Sequence, residues 1–276
     1  MPDLRIDLHA HSTCSDGTDT PAALVALAAQ HLDVVALTDH DTTHGWAEAM
    51  AAAEHHSIRL VRGIELSTRD GNVGQHLLGY AFDPGHPDLV ALLAKGVASR
   101  DGRIPAILKR LANIGLDLDE DLVLQASRTS GGTVGRPHVA AAMVAAGYVP
   151  DTATAFDHYL KPGRPGYVER YAPSTVEALR TITAAGGVTV VAHPRGQRGS
   201  LSDERLAALA AEGLTGVEVD HQEHGPATRT ALRSLAGDLG LVVTGSSDYH
   251  GTNKADHDLG CNTTAPDQYE ALLSRS

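Results

Sequence analysis

The sequence predicts an α/β fold, a seven-stranded (β/α)7 barrel interrupted by a helical insertion. Three observations predict it. Seven short apolar runs read as strands, and most are followed by a helical pattern, an order that implies parallel strands with crossover helices. Nearly every run ends in His, Asp or Glu, and parallel barrels carry their sites at the C-terminal ends of their strands. The stretch 96–166 is poor in strands and breaks the rhythm. By length, 276 residues suit two domains at about 150 residues each, or equally one barrel of ~250 residues with an insertion. The expected organisation is a barrel from 1–95 and 167–276, with 96–166 as a helical cap over the site.

Each element has its own signal. Residues 4–9 form the first apolar run. Thr20 is a plausible N-cap, and Pro21 opens a helical pattern to His31. Residues 34–38 read as strand two and 45–56 as a helix. Strands three and four follow at 59–66 and 75–81, with a link too short for an ordinary helix. The insertion reads as short helices with joints at Gly131-Gly132 and Gly163-Arg164-Pro165-Gly166. Helices at 174–185, 203–211 and 226–239 then alternate with strands at 188–192, 214–219 and 241–244.

Composition excludes several functions. A net charge of -12 argues against tracking long nucleic acid, which needs Lys and Arg along its length. A small phosphorylated substrate is still compatible, because bound cations would invert the local field. Two cysteines, Cys14 and Cys261, make no disulfide framework. The N-terminus lacks a signal-peptide pattern, and no apolar run reaches the ~18 residues needed to span a bilayer. The expectation is a cytoplasmic, soluble chain with no membrane partner.

The count that matters is 16 histidines, since His is the commonest metal ligand. His9 and His11 are two apart, so in a strand they share one face. Alone, the pair reads as two hydrogen-bonded surface histidines. Company changes that reading. Strand two ends in Asp39-His40, strand three in Glu65, strand five in His193-Pro194-Arg195, strand six in Glu218, and strand seven in Asp248-Tyr249-His250. His76 is the exception, at the start of strand four. Asp16 sits in Ser15-Asp16-Gly17, which alone reads as a turn. The donor set mixes N and O without thiolate, which suits Mn, Fe or Zn; Cys14 reads as a near-site residue and not a ligand. Arg136 (beside Pro137 at a possible helix start), Arg195 and His224 are candidate phosphate contacts. His31, His44, His55, His56, His86, His158, His221 and His257 read as solvated, His138 stays open, and Trp46 reads as packing.

Taken in order, Asp7-Leu8-His9-Ala10-His11-Ser12, Ser15-Asp16-Gly17, Leu37-Thr38-Asp39-His40-Asp41, Gly63-Ile64-Glu65-Leu66-Ser67, Ala192-His193-Pro194 and Ser246-Ser247-Asp248-Tyr249-His250 resemble the PHP (polymerase and histidinol phosphatase) family. The resemblance implies a distorted seven-stranded barrel with a trinuclear metal site. It implies that His9, His11, Glu65 and Asp248 hold one ion, that Glu65, His76 and His193 hold a second, and that Asp16, His40 and His250 hold a third. The insertion and Gly135-Arg136-Pro137-His138 resemble the branch of nucleoside 3′,5′-bisphosphate phosphatases and short-RNA 5′-exonucleases, which implies phosphate contacts at Arg136, Arg195 and His224. The expected cofactors are two or three divalent ions, Mn first, then Fe or Zn. The expected activity is hydrolysis of a small phosphate monoester or diester by metal-activated hydroxide attack on phosphorus, with His9, His11, Glu65, Asp248 and His250 at its centre. The expected partner is a small phosphorylated substrate such as a nucleotide or very short RNA. The alternatives are a histidinol-phosphate phosphatase, a zinc amidohydrolase and a non-catalytic metal-binding module. An amidohydrolase typically bridges its metals with a carboxylated Lys, where this chain has Glu65.

Overall fold

The computed structural model describes residues 4–71, 73–130, 134–196 and 200–276; the Gly131-Gly132 joint lies outside them, and residues 128–130 are described by their backbone alone. The chain divides into two compact units, Met1–Leu92 with Ala172–Ser276, and Leu93–Tyr171.

In the first unit seven strands form one sheet in chain order: β1 (Ile6–Asp7), β2 (Val34–Leu37), β3 (Arg59–Asp70), β4 (Val73–Tyr80), β5 (Val188–Val191), β6 (Gly216–Asp220) and β7 (Val242–Gly245). The sheet curls into a nearly closed α/β barrel. A bridge between Ala10 and Tyr249, with the His11 amide donating to the Tyr249 carbonyl at 2.8 Å, joins the segment after β1 to the segment after β7. Helices α1 (Pro21–Ala28) and α2 (Trp46–His56) connect the first three strands. Thr20 caps α1 by accepting from the Ala23 amide at 3.2 Å.

The β3–β4 connection explains the misplaced His76. The two strands form a hairpin, and β4 runs antiparallel to β3 and β5 while the other neighbouring pairs are parallel. The start of β4 therefore lies at the same mouth as the ends of the parallel strands. Glu65 pairs with Leu78, and His76 is two residues from Leu78, so Glu65 and His76 share a face.

Alternate strand residues build the barrel core. Ile6, Leu8, Ala36, Leu78, Val190 and Val242 are among its buried members. Full burial of a Val, Leu or Ile side chain contributes about 1.5–3 kcal/mol. Tyr80 spans from β4 to donate to the Leu8 carbonyl at 2.7 Å. Trp46 packs against Phe82, and its indole N–H donates to the Gly63 carbonyl at 2.9 Å.

The second unit is helical. It holds the end of α3 (Pro87–Asp101), then α4 (Arg103–Ala112), α5 (Glu120–Ser130), α6 (Arg136–Ala145) and α7 (Thr152–Ala155), which runs into a π-helical turn at Phe156–Leu160. Its own core gathers Ile107, Leu111, Val139, Met143 and Leu160. His138 sits in the first turn of α6, and its Nδ1 accepts from the Gly135 amide at 2.9 Å. Back in the first unit come α8 (Thr175–Ala184), α9 (Asp203–Ala211), α10 (Pro226–Leu239) and α11 (Pro266–Leu273). The sequence reading missed α11, which brings Tyr269 and Leu272 to the barrel core. Among the described residues, no helix is long and apolar enough to cross a membrane.

Candidate metal centre

Strand β1 is shorter than its apolar run. The ladder ends at Asp7, whose fully buried carboxylate accepts from the Ser247 amide at 3.0 Å and the His9 amide at 3.3 Å. The chain beyond it stays in the barrel wall through the Ala10 bridge. That leaves His9 and His11 buried with ring centroids 5.0 Å apart. At the ends of β5 and β7 the backbone leaves the ladder at positive φ, 27° at His193 and 54° at Asp248. For a non-glycine residue such geometry costs on the order of 1–3 kcal/mol and persists only where the surroundings impose it.

Asp16 arrives on a loop that Asp39 holds. The Asp39 carboxylate accepts from the Ser12 amide at 2.8 Å, the Ser12 hydroxyl at 2.7 Å and the Ser15 hydroxyl at 2.6 Å. Gly17 lets this loop lie against the chain. A Cβ there would fall 2.2 Å from the His11 carbonyl oxygen.

All nine sequence-predicted metal ligands meet at one mouth of the barrel unit. Glu65, almost fully buried, is the hub. Its Oε2 lies 3.2 Å from His9 Nε2, 3.1 Å from His11 Nε2 and 3.1 Å from His40 Nδ1. Its Oε1 lies 2.8 Å from His76 Nδ1 and 3.3 Å from His193 Nε2. Asp248 Oδ1 stands 3.4 Å from His9 Nε2 and 3.4 Å from His11 Nε2. Asp16 reaches His250 Nε2 at 3.2 Å and His40 Nε2 at 3.6 Å. Among the described residues four groups of donor atoms lie together: His9, His11, Glu65 and Asp248; His11, Asp16, His40 and His250; His40, Glu65 and His76, with His193 beside them; and His221, Asp248 and His257.

These donors fit metal ions better than they fit each other. His9 Nε2, His11 Nε2 and His40 Nδ1 are buried without a hydrogen-bond partner, although carboxylate oxygens lie within 3.1–3.4 Å. The atoms are close but not aligned for N–H···O bonds. Donors bound to one ion at 2.0–2.2 Å stand about 3–3.5 Å apart, which is this spacing.

The electrostatics agree. Burial alone would raise Glu65, but His76, His40 and His9 hold its carboxyl well below the usual carboxylate range. Asp248 is likewise low, because His9, His11 and His221 outweigh its burial. Burial would lower His11, yet Asp248 and Glu65 raise it to about 9. His40 goes the other way: burial and the neighbouring His11 and His76 push it well below its ordinary value despite Glu65.

Two residues were missed or misread from sequence. Glu218 is fully buried; its Oε1 accepts from His9 Nδ1 at 3.1 Å and its Oε2 from the His193 amide at 2.9 Å. That bond fixes the His9 tautomer and leaves Nε2 for an ion, the usual outer-shell arrangement for a ligating His. The sequence reading places Glu218 among the strand-end carboxylates but gives it no role. His221 was expected in solvent. It is fully buried instead: its Nδ1 accepts from the Glu223 amide at 3.2 Å, and its Nε2 faces Asp248 Oδ2 at 3.2 Å. Arg229 holds its backbone from α10, donating to the His221 carbonyl at 2.7 Å. His86 and His257 were also expected in solvent but are half-buried, His257 with its ring 5.7 Å from His221, while His31, His44, His55, His56 and His158 are exposed as expected.

The three candidate phosphate contacts differ. The Arg195 guanidinium pairs with Asp203 at the start of α9. His224 is buried, with Nδ1 toward the Val219 carbonyl at 2.9 Å and Nε2 accepting from the Arg195 amide at 3.3 Å. Both of its nitrogens are thus engaged within the protein. Arg136, in the helical unit, donates to the Leu160 carbonyl at 3.2 Å and lies against the Phe156 and Tyr167 rings.

The PHP domain model matches residues 7–128. The chain is 36% identical to the 3′,5′-nucleoside bisphosphate phosphatase of Chromobacterium violaceum, covering 93% of this chain and 90% of the relative. The chain belongs to the PHP family. It is 35% identical to a 5′-3′ exoribonuclease of Haemophilus influenzae, covering 89% and 90% of the two chains. It is 36% identical to a phosphoribosyl 1,2-cyclic phosphate 1,2-diphosphodiesterase of Eggerthella lenta, covering 89% and 94%. A solved structure from Bifidobacterium adolescentis, provisionally named a metal-dependent phosphoesterase, superposes with a TM-score of 0.80 at 38% identity, covering 100% and 97%. As a PHP-family member this chain is a metal-dependent phosphoesterase.

Proposed function

We propose that the chain hydrolyses a nucleoside 3′,5′-bisphosphate or a short 5′-phosphorylated oligonucleotide. The observation that carries the chemistry is Glu65, whose two oxygens divide five imidazoles into two sets. The substrate class is supported by the bisphosphate phosphatase and exoribonuclease among its relatives. In this reading His9, His11, Glu65 and Asp248 hold one ion, Glu65, His76 and His193 a second, and Asp16, His40 and His250 a third. The N and O donors without thiolate favour Mn, with Fe or Zn as alternatives. When bound, such ions supply an acidified water and neutralise phosphoryl charge.

The protein's own groups do the rest. Glu65 keeps two ion positions adjacent. His250 turns its Nδ1 to the Asp248 carbonyl at 2.8 Å, which leaves Nε2 facing Asp16. Arg195 follows the His193 ligand and contacts substrate phosphate, and His224 accepts from the Arg195 amide and orders its backbone. Direct attack leaves no phosphorylated side chain, so trapping one during turnover would refute the scheme.

The test is metal analysis of the purified protein followed by a phosphate-release screen with Mn. The panel holds nucleoside 3′,5′-bisphosphates, 5′-phosphorylated dinucleotides, histidinol phosphate and amides. It includes a ribose cyclic phosphate, because the Eggerthella lenta relative is equally similar. Turnover of bisphosphates or dinucleotides above the others is expected, and release from neither would sink the proposal.

A further inference from the structure

We propose that Lys254 is a substrate-contacting cation of this site, holding an oxygen of the bound phosphoryl group. The inference rests on the phosphate-ester reading above. Lys254 lines the same cavity as Glu65, His193, Asp248 and His250, and among the described residues it is the one Lys or Arg that does so. A phosphate monoester brings up to two negative charges into that cavity.

The two oxygens of Asp248 face different ways. Oδ1 looks at His9, His11 and His250, each at 3.4 Å. Oδ2 takes the His221 Nε2–H and the Lys254 ammonium. His221 is fully buried, and its tautomer is fixed by the Glu223 amide on Nδ1. It is therefore a permanent donor that orients Asp248 without help. Lys254 is a second donor whose side chain is 29% exposed, against 3% for Asp248. An ammonium carries three N–H donors, and Asp248 uses one.

The segment that carries Lys254 is tied to the neighbouring loop after β1. The Thr252 amide donates to Thr18 Oγ1 at 3.0 Å, and Asn253 Nδ2 donates to the Asp16 carbonyl at 2.9 Å. The loop is thus fixed beside the Asp16 ligand.

The rival role is charge balance for a ligand, and one experiment separates the two. Metal content and inorganic-phosphate affinity are measured by elemental analysis and calorimetry on the Mn-loaded wild type, Lys254→Met and Lys254→Arg. Lys254→Met is expected to keep the wild-type metal content and bind phosphate roughly 10- to 100-fold more weakly, and Lys254→Arg to recover part of the loss. Wild-type phosphate affinity in Lys254→Met, or loss of metal from it, overturns the inference. A wild-type protein that binds no phosphate and releases none from any ester overturns the phosphate reading itself, and the inference falls with it.

Discussion

Glu218 lies beneath two proposed ligands at once, since it orients the His9 ring and fixes the His193 backbone. Burial raises its carboxyl, but His9 and His221 bring it down to about 2, so it stays ionised. Glu218→Gln keeps the shape and removes the charge. Outer-shell losses of this kind typically cost 10- to 100-fold in metal affinity, and that loss should appear in metal titrations of the variant. A second outcome follows from His11. In the metal-free protein its pKa is raised to about 9, against about 6.5 when unfolded. Its contribution to stability is therefore fully present below pH 6.5 and is lost as pH rises through about 9. An ion held by His11 would have to displace that proton. Metal uptake at pH 7 should release protons, fewer as pH approaches 9. Calorimetry in buffers of different ionisation enthalpy reads the number directly, and uptake with no proton release would contradict the assignment of His11.

Gly17 shows how a turn can set a metal site. Because an added Cβ would meet the His11 carbonyl oxygen at 2.2 Å, Gly17→Ala must push the Asp16 loop outward. We expect the variant to fold and to lose ion binding at the Asp16, His40 and His250 group, seen as a lower metal-to-protein ratio. An unchanged ratio would mean that Asp16 holds no ion. The strands and long helices were legible in the sequence because apolar runs and caps are local signals. Thr20, Pro21 and the segments at 203–211 and 226–239 appear where their patterns put them. The antiparallel β4 had a signal in the short link after β3, which leaves no room for a crossover helix, but the sequence reading did not draw the strand direction from it. His221 was misread because a loop histidine gives no local sign of burial, which depends here on a partner 27 residues away. Helix α11 was missed because its apolar residues are few and its packing partner is the distant barrel core.

Taken whole, the barrel mouth gathers buried carboxylates and imidazoles in groups that could hold ions. Removing the ions leaves buried groups with unmet donors and acceptors, a state that costs stability. Chelation should therefore lower the melting temperature, and re-addition of Mn should restore it in proportion to free metal. An unchanged melting temperature on chelation would argue that the cluster is stable empty. The Ala10–Tyr249 bridge has one more consequence. The amide of Ser247 meets the carboxylate of Asp7 across 240 positions of chain, and the first proposed ion would take donors from both ends. Synthesis runs from the N-terminus, so a growing chain carries His9 and His11 long before Asp248 exists. The proposed ion site would be completed only after the last strand has been made, so loss of that strand would remove the chemistry while most of the barrel sequence is still present.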